Sequence, residues 1–126
     1  MRSLLIILVL AIQPTQSGLI NSSWMYKVTN TCINTLKFKA GGKVYNYNCE
    51  LDYTFRDTYK ISADTVTIFE KDDSHSEDGG KPDFYQEKYV IRGNALYGIG
   101  YSKLIHGKWK TTKVKPRTEA AYTRVK

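Results

Sequence analysis

The fold of this chain is decided by an eighteen-residue stretch, Cys32 to Cys49, which reads CINTLKFKAGGKVYNYNC. Two alternating segments, Ile33–Lys39 and Lys43–Asn48, flank small turn residues, which predicts an antiparallel hairpin. Cys32 and Cys49 are equidistant from Ala40-Gly41, so a hairpin centred there places them opposite each other, at a Cα separation that a disulfide can span. The stretch therefore predicts a Cys32–Cys49 disulfide and an oxidising compartment outside the cytoplasm.

Period-two alternation also assigns the faces of the predicted strands. In the hairpin, the face shared with the cysteines is expected to carry Leu36, Phe38, Tyr45 and Tyr47. In the next strand, the inner face is expected to carry Tyr53, Phe55, Tyr59 and Ile61. Across the turn at Ala63-Asp64, Ile61 should pair with Val66 and Tyr59 with Ile68, which continues the apolar face.

The same alternation recurs from Trp24 to Val125, and no stretch shows a sustained helical period. Short turns at Ala63-Asp64, Gly93-Asn94 and His106-Gly107 join the segments in sequence order. The chain is therefore predicted to be all-β, an antiparallel meander of eight to ten strands. A meander of this length tends to close into a barrel, because closure removes both exposed edges.

The N-terminal segment has the pattern of a secretory signal peptide. Arg2 precedes an apolar run from Leu4 to Ile12, and small residues follow near Ser17. The run is about half the length that a membrane-spanning helix needs, and no cysteine stands between it and Cys32 to carry a lipid anchor. We therefore expect residues 1–17 to be a signal peptide, residues 18–126 to form one domain, and the protein to be secreted or periplasmic without a membrane span.

Charge is unevenly distributed along the chain. Without Arg2, eighteen basic residues stand against twelve acidic ones, a net charge of +6. The basic excess lies between Lys103 and Lys126, whereas the segment Lys71–Asp83 is acidic and is predicted to be a loop. The basic segment permits an anionic partner through Lys108, Lys110, Lys113 and Lys115, but alternating lysines are common on a solvated outer sheet face, which is the favoured interpretation.

Three further passages follow one sequence pattern, in which polar turns separate strands: Tyr59–Ser62, Asp64–Ile68 and Tyr89–Tyr97. Together with the hairpin they resemble the lipocalin-like small secreted β-barrels of bacteria. The resemblance implies an eight- to ten-stranded barrel whose apolar interior holds a small hydrophobic or amphipathic ligand, and no catalysis. It also implies that Arg124, in the last strand, lies across the ring of Trp24 and closes the barrel through a cation–π contact.

Polar residues at inward positions mark the candidate ligand site. Asp57 lies between apolar residues of the fourth strand, and Glu87 lies between Tyr85 and Tyr89. A buried carboxylate needs a partner, which a ligand can supply. The candidate wall residues are Tyr47, Phe55, Asp57, Tyr59, Glu87 and Tyr89.

Other functions have less support in the sequence. The two histidines, His75 and His106, lie in a loop and a turn, and both cysteines are assigned to the disulfide, so we expect no enzyme and no catalytic residue. No zinc or calcium spacing occurs, so we expect no metal and no cofactor. We also expect a monomer and no nucleic-acid partner. The alternative function is a secreted protein-binding module, an inhibitor or immunity protein, that acts through residues 71–83 or the basic C-terminal face.

Overall fold

The computed structural model describes residues 16–72, 81–113 and 121–126. The predicted signal peptide, 1–17, lies outside this part of the chain except for its last two residues, which belong to a short helix (α1, Gln16–Leu19). The described residues form nine strands, which are β1 Ser23–Lys27, β2 Ile33–Lys39, β3 Lys43–Asn48, β4 Tyr53–Ser62, β5 Thr65–Asp72, β6 Asp83–Arg92, β7 Ala95–Ile105, β8 Lys108–Lys113 and β9 Tyr122–Arg124. No helix among the described residues is long and apolar enough to cross a bilayer.

Eight of the nine strands close into an antiparallel barrel, which confirms the predicted fold class. Strands β1 to β7 pair in sequence order, and β9 joins β7 to β1. Strand β8 pairs with β7 outside this ring, along Gly100–Ile105. Alternation alone does not show that β9 and not β8 closes the barrel, because it assigns faces but not partners. The contact of Arg124 with Trp24, expected from the resemblance, did place the last strand beside the first.

The disulfide between Cys32 and Cys49 is present, with the two Cα atoms 5.4 Å apart. The predicted register of the β2–β3 hairpin is wrong by one residue. Lys39 pairs with Lys43 across a three-residue turn, whose Gly41 and Gly42 both adopt positive φ, 78° and 71°. Because the cysteines lie just outside the paired strands, the bridge forms despite the shift.

The shifted register exchanges the faces of β3. Val44, fully buried opposite Phe38, takes the inner position that was predicted for Tyr45. Tyr45 lies on the outer face, 37% exposed, and Tyr47 lies beside it. The prediction that Tyr45 and Tyr47 point inward is therefore wrong, since a one-residue slip moves every side chain to the other face.

Apolar side chains fill one end of the barrel. On β4 and β5 the predicted pairs Ile61–Val66 and Tyr59–Ile68 are present. The buried cluster consists of Leu19, Trp24, Leu36, Phe38, Val44, Tyr59, Val66, Ile68 and Leu96. Trp24 and Arg124 are register partners on β1 and β9, and the guanidinium carbon lies 5.9 Å from the centre of the indole ring. This contact lies where the last strand joins the first.

A β-bulge interrupts the pairing of β6 with β7. Lys88 pairs with Gly100 and Tyr89 with Gly98, so Ile99 is the extra residue. A Cβ at Gly100 would lie 3.0 Å from the backbone oxygen of Thr112, whereas a Cβ at Gly98 would make only an ordinary contact with the Tyr89 ring. Gly100 is therefore required by the close approach of β8.

We expect Gly100→Ala to lower the free energy of unfolding by about 1 to 3 kcal/mol, because the backbone of β8 must move away. Gly98→Ala, two residues away on the same strand, should cost much less, since its Cβ fits. Urea denaturation of both variants would measure the difference. Equal costs at the two positions would contradict the assignment of the close approach to Gly100.

Candidate functional site

The structure brings five of the six predicted wall residues to inward positions. Asp57 and Tyr59 are buried, and Phe55, Glu87 and Tyr89 are half-buried. Tyr47 is the exception, because it lies on the outer face of β3, where its hydroxyl donates to the Oδ1 of Asp52 at 2.8 Å. That hydrogen bond, more than any other cause, raises the pKa of Tyr47. Tyr47 therefore does not belong to the inner site.

A connected set of polar side chains, termed here the inner polar group, surrounds Asp57 and Glu87. It draws on seven of the eight barrel strands, and consists of Tyr26, Asn34, Asn46, Asp57, Glu70, Glu87, Tyr89 and Tyr122. The ladder explains their convergence, because Tyr26 pairs with Asn34, and Glu87 with Ile68 on the inner face of β5. The group adjoins the apolar cluster, into which Tyr89 and Tyr122 also pack.

Three tyrosines form one side of this group. The ring of Tyr122 lies 5.7 Å from that of Tyr26 and 5.9 Å from that of Tyr89, the latter edge to face. The Tyr89 hydroxyl donates to Oε2 of Glu87 at 2.6 Å. Burial, and then the charge of Glu87, raise the pKa of both Tyr89 and Tyr122, so these hydroxyls stay protonated and can donate.

Carboxyl groups form the other side. Asp57, 5% exposed, accepts a hydrogen bond of 3.3 Å on Oδ2 from the amide of Asn46. Burial raises the pKa of Asp57 to about 6, with a smaller contribution from the charge of Glu87 and an opposing one from Asn46. Burial also raises the pKa of Glu70 to about 7, and the charges of Asp57, Glu87 and Asp72 add to the effect. The site therefore holds carboxyl groups that change protonation near neutral pH.

These raised pKa values predict a pH-dependent stability. The ordinary pKa values of Asp57 and Glu70 are 3.8 and 4.5, and the raised values are about 6 and 7. At a pH between the ordinary and the raised value of each group, the folded chain keeps a proton that the unfolded chain has released. The contribution of Asp57 and Glu70 to the free energy of unfolding is therefore greatest below this window and is lost as the pH rises through it.

Asp57→Asn should accordingly stabilise the fold at pH 8 by about 1 kcal/mol, after a reduction for partial solvation, and should have almost no effect at pH 4. The amide can still accept the hydrogen bond from Asn46. Asp64→Asn, in an exposed turn, provides the control and should show no such trend. Chemical denaturation from pH 4 to 8 would measure both, and a variant destabilised equally at every pH would contradict the prediction.

In β1–β6 the basic and the acidic residues differ completely in burial. All nine basic residues of these strands are exposed, namely Lys27, Lys37, Lys39, Lys43, Arg56, Lys60, Lys71, Lys88 and Arg92. All five acidic residues of the same strands are buried or half-buried, namely Asp57, Glu70, Asp72, Asp83 and Glu87. These six strands therefore form a wall with a basic exterior and an acidic interior.

A pocket opens beside the inner polar group at the β-bulge. Its volume is about 180 Å³, and its lining consists of Glu87, Lys88, Tyr89, Gly98, Gly100 and Tyr101. This is smaller than the roughly 300 to 1,000 Å³ of a typical drug-sized ligand site, so the pocket suits one small group. The missing side chain at Gly98 leaves space beside the Tyr89 ring, whereas the space at Gly100 is occupied by the backbone of β8.

Sequence reasoning missed several members of the inner polar group. Glu70 follows Val66 and Ile68 at the same period of two, so its inward position was available from the pattern. Asn46 was assigned to the outer face by the register error. Tyr26 and Asn34 are partners on β1 and β2, and Tyr122 joins them only because β9 pairs with β1, which alternation does not show.

No group of three or more histidine, cysteine, aspartate or glutamate side chains suitable for a metal ion occurs within residues 16–72, 81–113 and 121–126. The acidic stretch at 73–80 lies outside those residues. The predicted loop is shorter than Lys71–Asp83, because Lys71, Asp72 and Asp83 belong to strands and Asp72 pairs with Asp83. Of the basic C-terminal residues, Lys108, Lys110 and Lys113 are exposed on β8, and Lys115 is not described.

Comparison of the chain with protein-family models, with curated proteins and with solved structures gave no match.

Proposed function

We propose that this protein is an exported, non-catalytic lipocalin-like barrel that binds a small, partly apolar ligand at the inner polar group. The proposal rests on one observation above all: Glu87 and Tyr89, two hydrogen-bonded members of the inner polar group, line a pocket in the barrel wall. Export is part of the proposal, and the predicted signal peptide together with the Cys32–Cys49 disulfide supports it.

The chemistry of the inner polar group favours a ligand that carries a positive charge. In β1–β6 every lysine and arginine is exposed, including Lys88 in the pocket lining, and Lys103 of β7 is half-buried with its Nζ 5.5 Å from the ring centre of Tyr85. The carboxyl groups of Asp57, Glu70 and Glu87 therefore outnumber the half-buried basic side chains of the described barrel strands. A protonated amine would be attracted to these carboxylates and could lie against the tyrosine rings, whose faces attract cations. The adjoining apolar cluster would accept the apolar part of the ligand.

A matched set of probes tests this preference. We expect phenethylamine to raise the melting temperature of the protein, and the neutral 2-phenylethanol and anionic phenylacetate to have little effect, because only the amine pairs with the carboxylates. Glu87→Gln should reduce the amine-dependent shift by at least half. Arg92→Gln, which removes an exposed charge from the same strand outside the pocket lining, is the control and should preserve the shift.

Equal shifts with all three probes would contradict the proposed charge preference. No shift with any of them would contradict small-ligand binding of this class and would favour the alternative function, a protein-binding module. Partner capture with and without a short neutral replacement of residues 74–80 would then test whether that segment carries the interaction.

A further inference from the structure

The outer face of β2, β3 and β4 concentrates positive charge, and it is separate from the inner polar group. Its five exposed basic residues, termed here the basic outer face, are Lys37, Lys39, Lys43, Arg56 and Lys60. The one acidic residue of these three fully described strands, Asp57, is buried on the opposite face. This arrangement has a cost, since Lys39 and Lys43 are direct cross-strand partners and like charges in such pairs repel.

A groove runs through this face beside exposed tyrosine rings. Its volume is about 370 Å³ and its lining consists of Thr35, Lys37, Tyr45, Tyr47 and Thr54. The register places Tyr45 between Lys37 on β2 and Arg56 on β4. The hydrogen bond from Tyr47 to Asp52 fixes the second ring. An aromatic ring thus lies between two cations at the spacing of neighbouring strands, about 4.8 Å per strand.

We propose that the basic outer face binds a linear sulfated polysaccharide. Sulfate groups would pair with Lys37 and Arg56, and a sugar ring would lie on the flat face of Tyr45, which offers apolar area with a polar edge. The barrel wall is convex, so a flat anionic bilayer would reach only a narrow strip of it, whereas a flexible chain can follow the rows of side chains across the strands. The positive charge of this face favours a polyanion, and its convex shape favours an extended chain over a flat membrane surface.

The test uses a fluorescently labelled heparin octasaccharide and binding measured by anisotropy at several salt concentrations. The double variant Lys37→Gln/Arg56→Gln should weaken binding about 10- to 30-fold, since each basic side chain beside an anionic surface contributes roughly fivefold. The slope of log affinity against log salt concentration should become shallower by about two. The control, Lys108→Gln/Lys110→Gln on β8, removes the same charge elsewhere and should change affinity less than about threefold.

Variants of Tyr45 separate ring stacking from charge. Tyr45→Ala should weaken binding about fivefold, the lower part of the range for one stacked ring, and Tyr45→Phe should retain nearly full affinity. Thermal unfolding of each variant checks that the fold is intact. Glu87→Gln should leave octasaccharide affinity unchanged, so this proposal and the inner ligand site succeed or fail independently.

Three outcomes would overturn the proposal. The first is an equal loss of affinity in the two charge variants, which would show attraction by net charge alone. The second is no measurable binding of the octasaccharide at low salt. The third is tighter binding of a single-stranded oligonucleotide, or of vesicles rich in anionic lipid, at the same concentration of negative charge.

Discussion

Replacing Trp24 with alanine should lower the free energy of unfolding by about 3 to 5 kcal/mol, the largest effect that we expect from a single substitution in this chain. The indole is 1% exposed, and its loss would leave a cavity in the apolar cluster. Its Nε1 donates to the Oγ of Ser22 at 2.8 Å, and that hydroxyl in turn donates to the backbone oxygen of Leu19. The substitution would also remove the ring on which Arg124 lies.

Trp109→Ala is the matched control for this prediction. Trp109 is 43% exposed on β8, the strand outside the barrel ring, so its replacement should change stability by less than about 0.5 kcal/mol. Guanidinium denaturation followed by far-UV circular dichroism would measure both variants. If Trp24→Ala fails to fold, Trp24→Phe should fold with a smaller loss, and a Trp24→Ala cost as small as that of Trp109→Ala would contradict the account.

Removing the disulfide should have the second largest effect. The double variant Cys32→Ser/Cys49→Ser removes a bridge between residues 17 apart in sequence. The unfolded chain then gains conformational entropy, which should lower the free energy of unfolding by about 3 kcal/mol. For a domain of this size the melting temperature should fall by at least about 10 °C. Differential scanning calorimetry would measure the change.

The reduced wild-type protein is the control, because it lacks the bridge but keeps both cysteine side chains. It should melt at the same temperature as the double variant. A loss below about 1 kcal/mol in the variant would show that the other contacts of the β2–β3 hairpin already restrict the unfolded chain, contrary to the entropic argument.

The fold was largely predictable because its signals are local. The bounds of β2 and β3 follow from alternation and a glycine turn, and the pairing of Tyr59 with Ile68 follows from a two-residue turn. The register of β2–β3 was not predictable in the same way. Ala40, Gly41 and Gly42 can form a two- or a three-residue turn, and only the φ angles of the folded chain distinguish the two.

The candidate site was predictable only in part, because its members come from distant strands. Asp57, Glu87 and Tyr89 were found from their own strands, since each is a polar residue at an inward position. Tyr26 and Tyr122 were not, because their ring contact depends on the pairing of β1 with β9, strands at opposite ends of the chain. Local periodicity contains no information about that pairing.

The charge arrangement of the wall connects the two proposals. In β1–β6 the acidic side chains lie inside or partly covered, and the basic side chains lie outside. The interior would therefore attract a small cation, while the exterior would attract a polyanion. A single barrel could hold one ligand inside while its outer surface is retained on a polysaccharide, and each interaction can be weakened by a variant that leaves the other intact.

The central claim is that the barrel binds a small ligand, and mass spectrometry of the protein from its native source tests it most directly. The mature protein would be purified gently and measured under native and then denaturing conditions. We predict a reproducible additional mass that is released on denaturation, belongs to a partly apolar amine, and is reduced in the Glu87→Gln variant but not in Arg92→Gln. A bare polypeptide under both conditions, two mass units lighter than the reduced chain because of its disulfide, would contradict the claim.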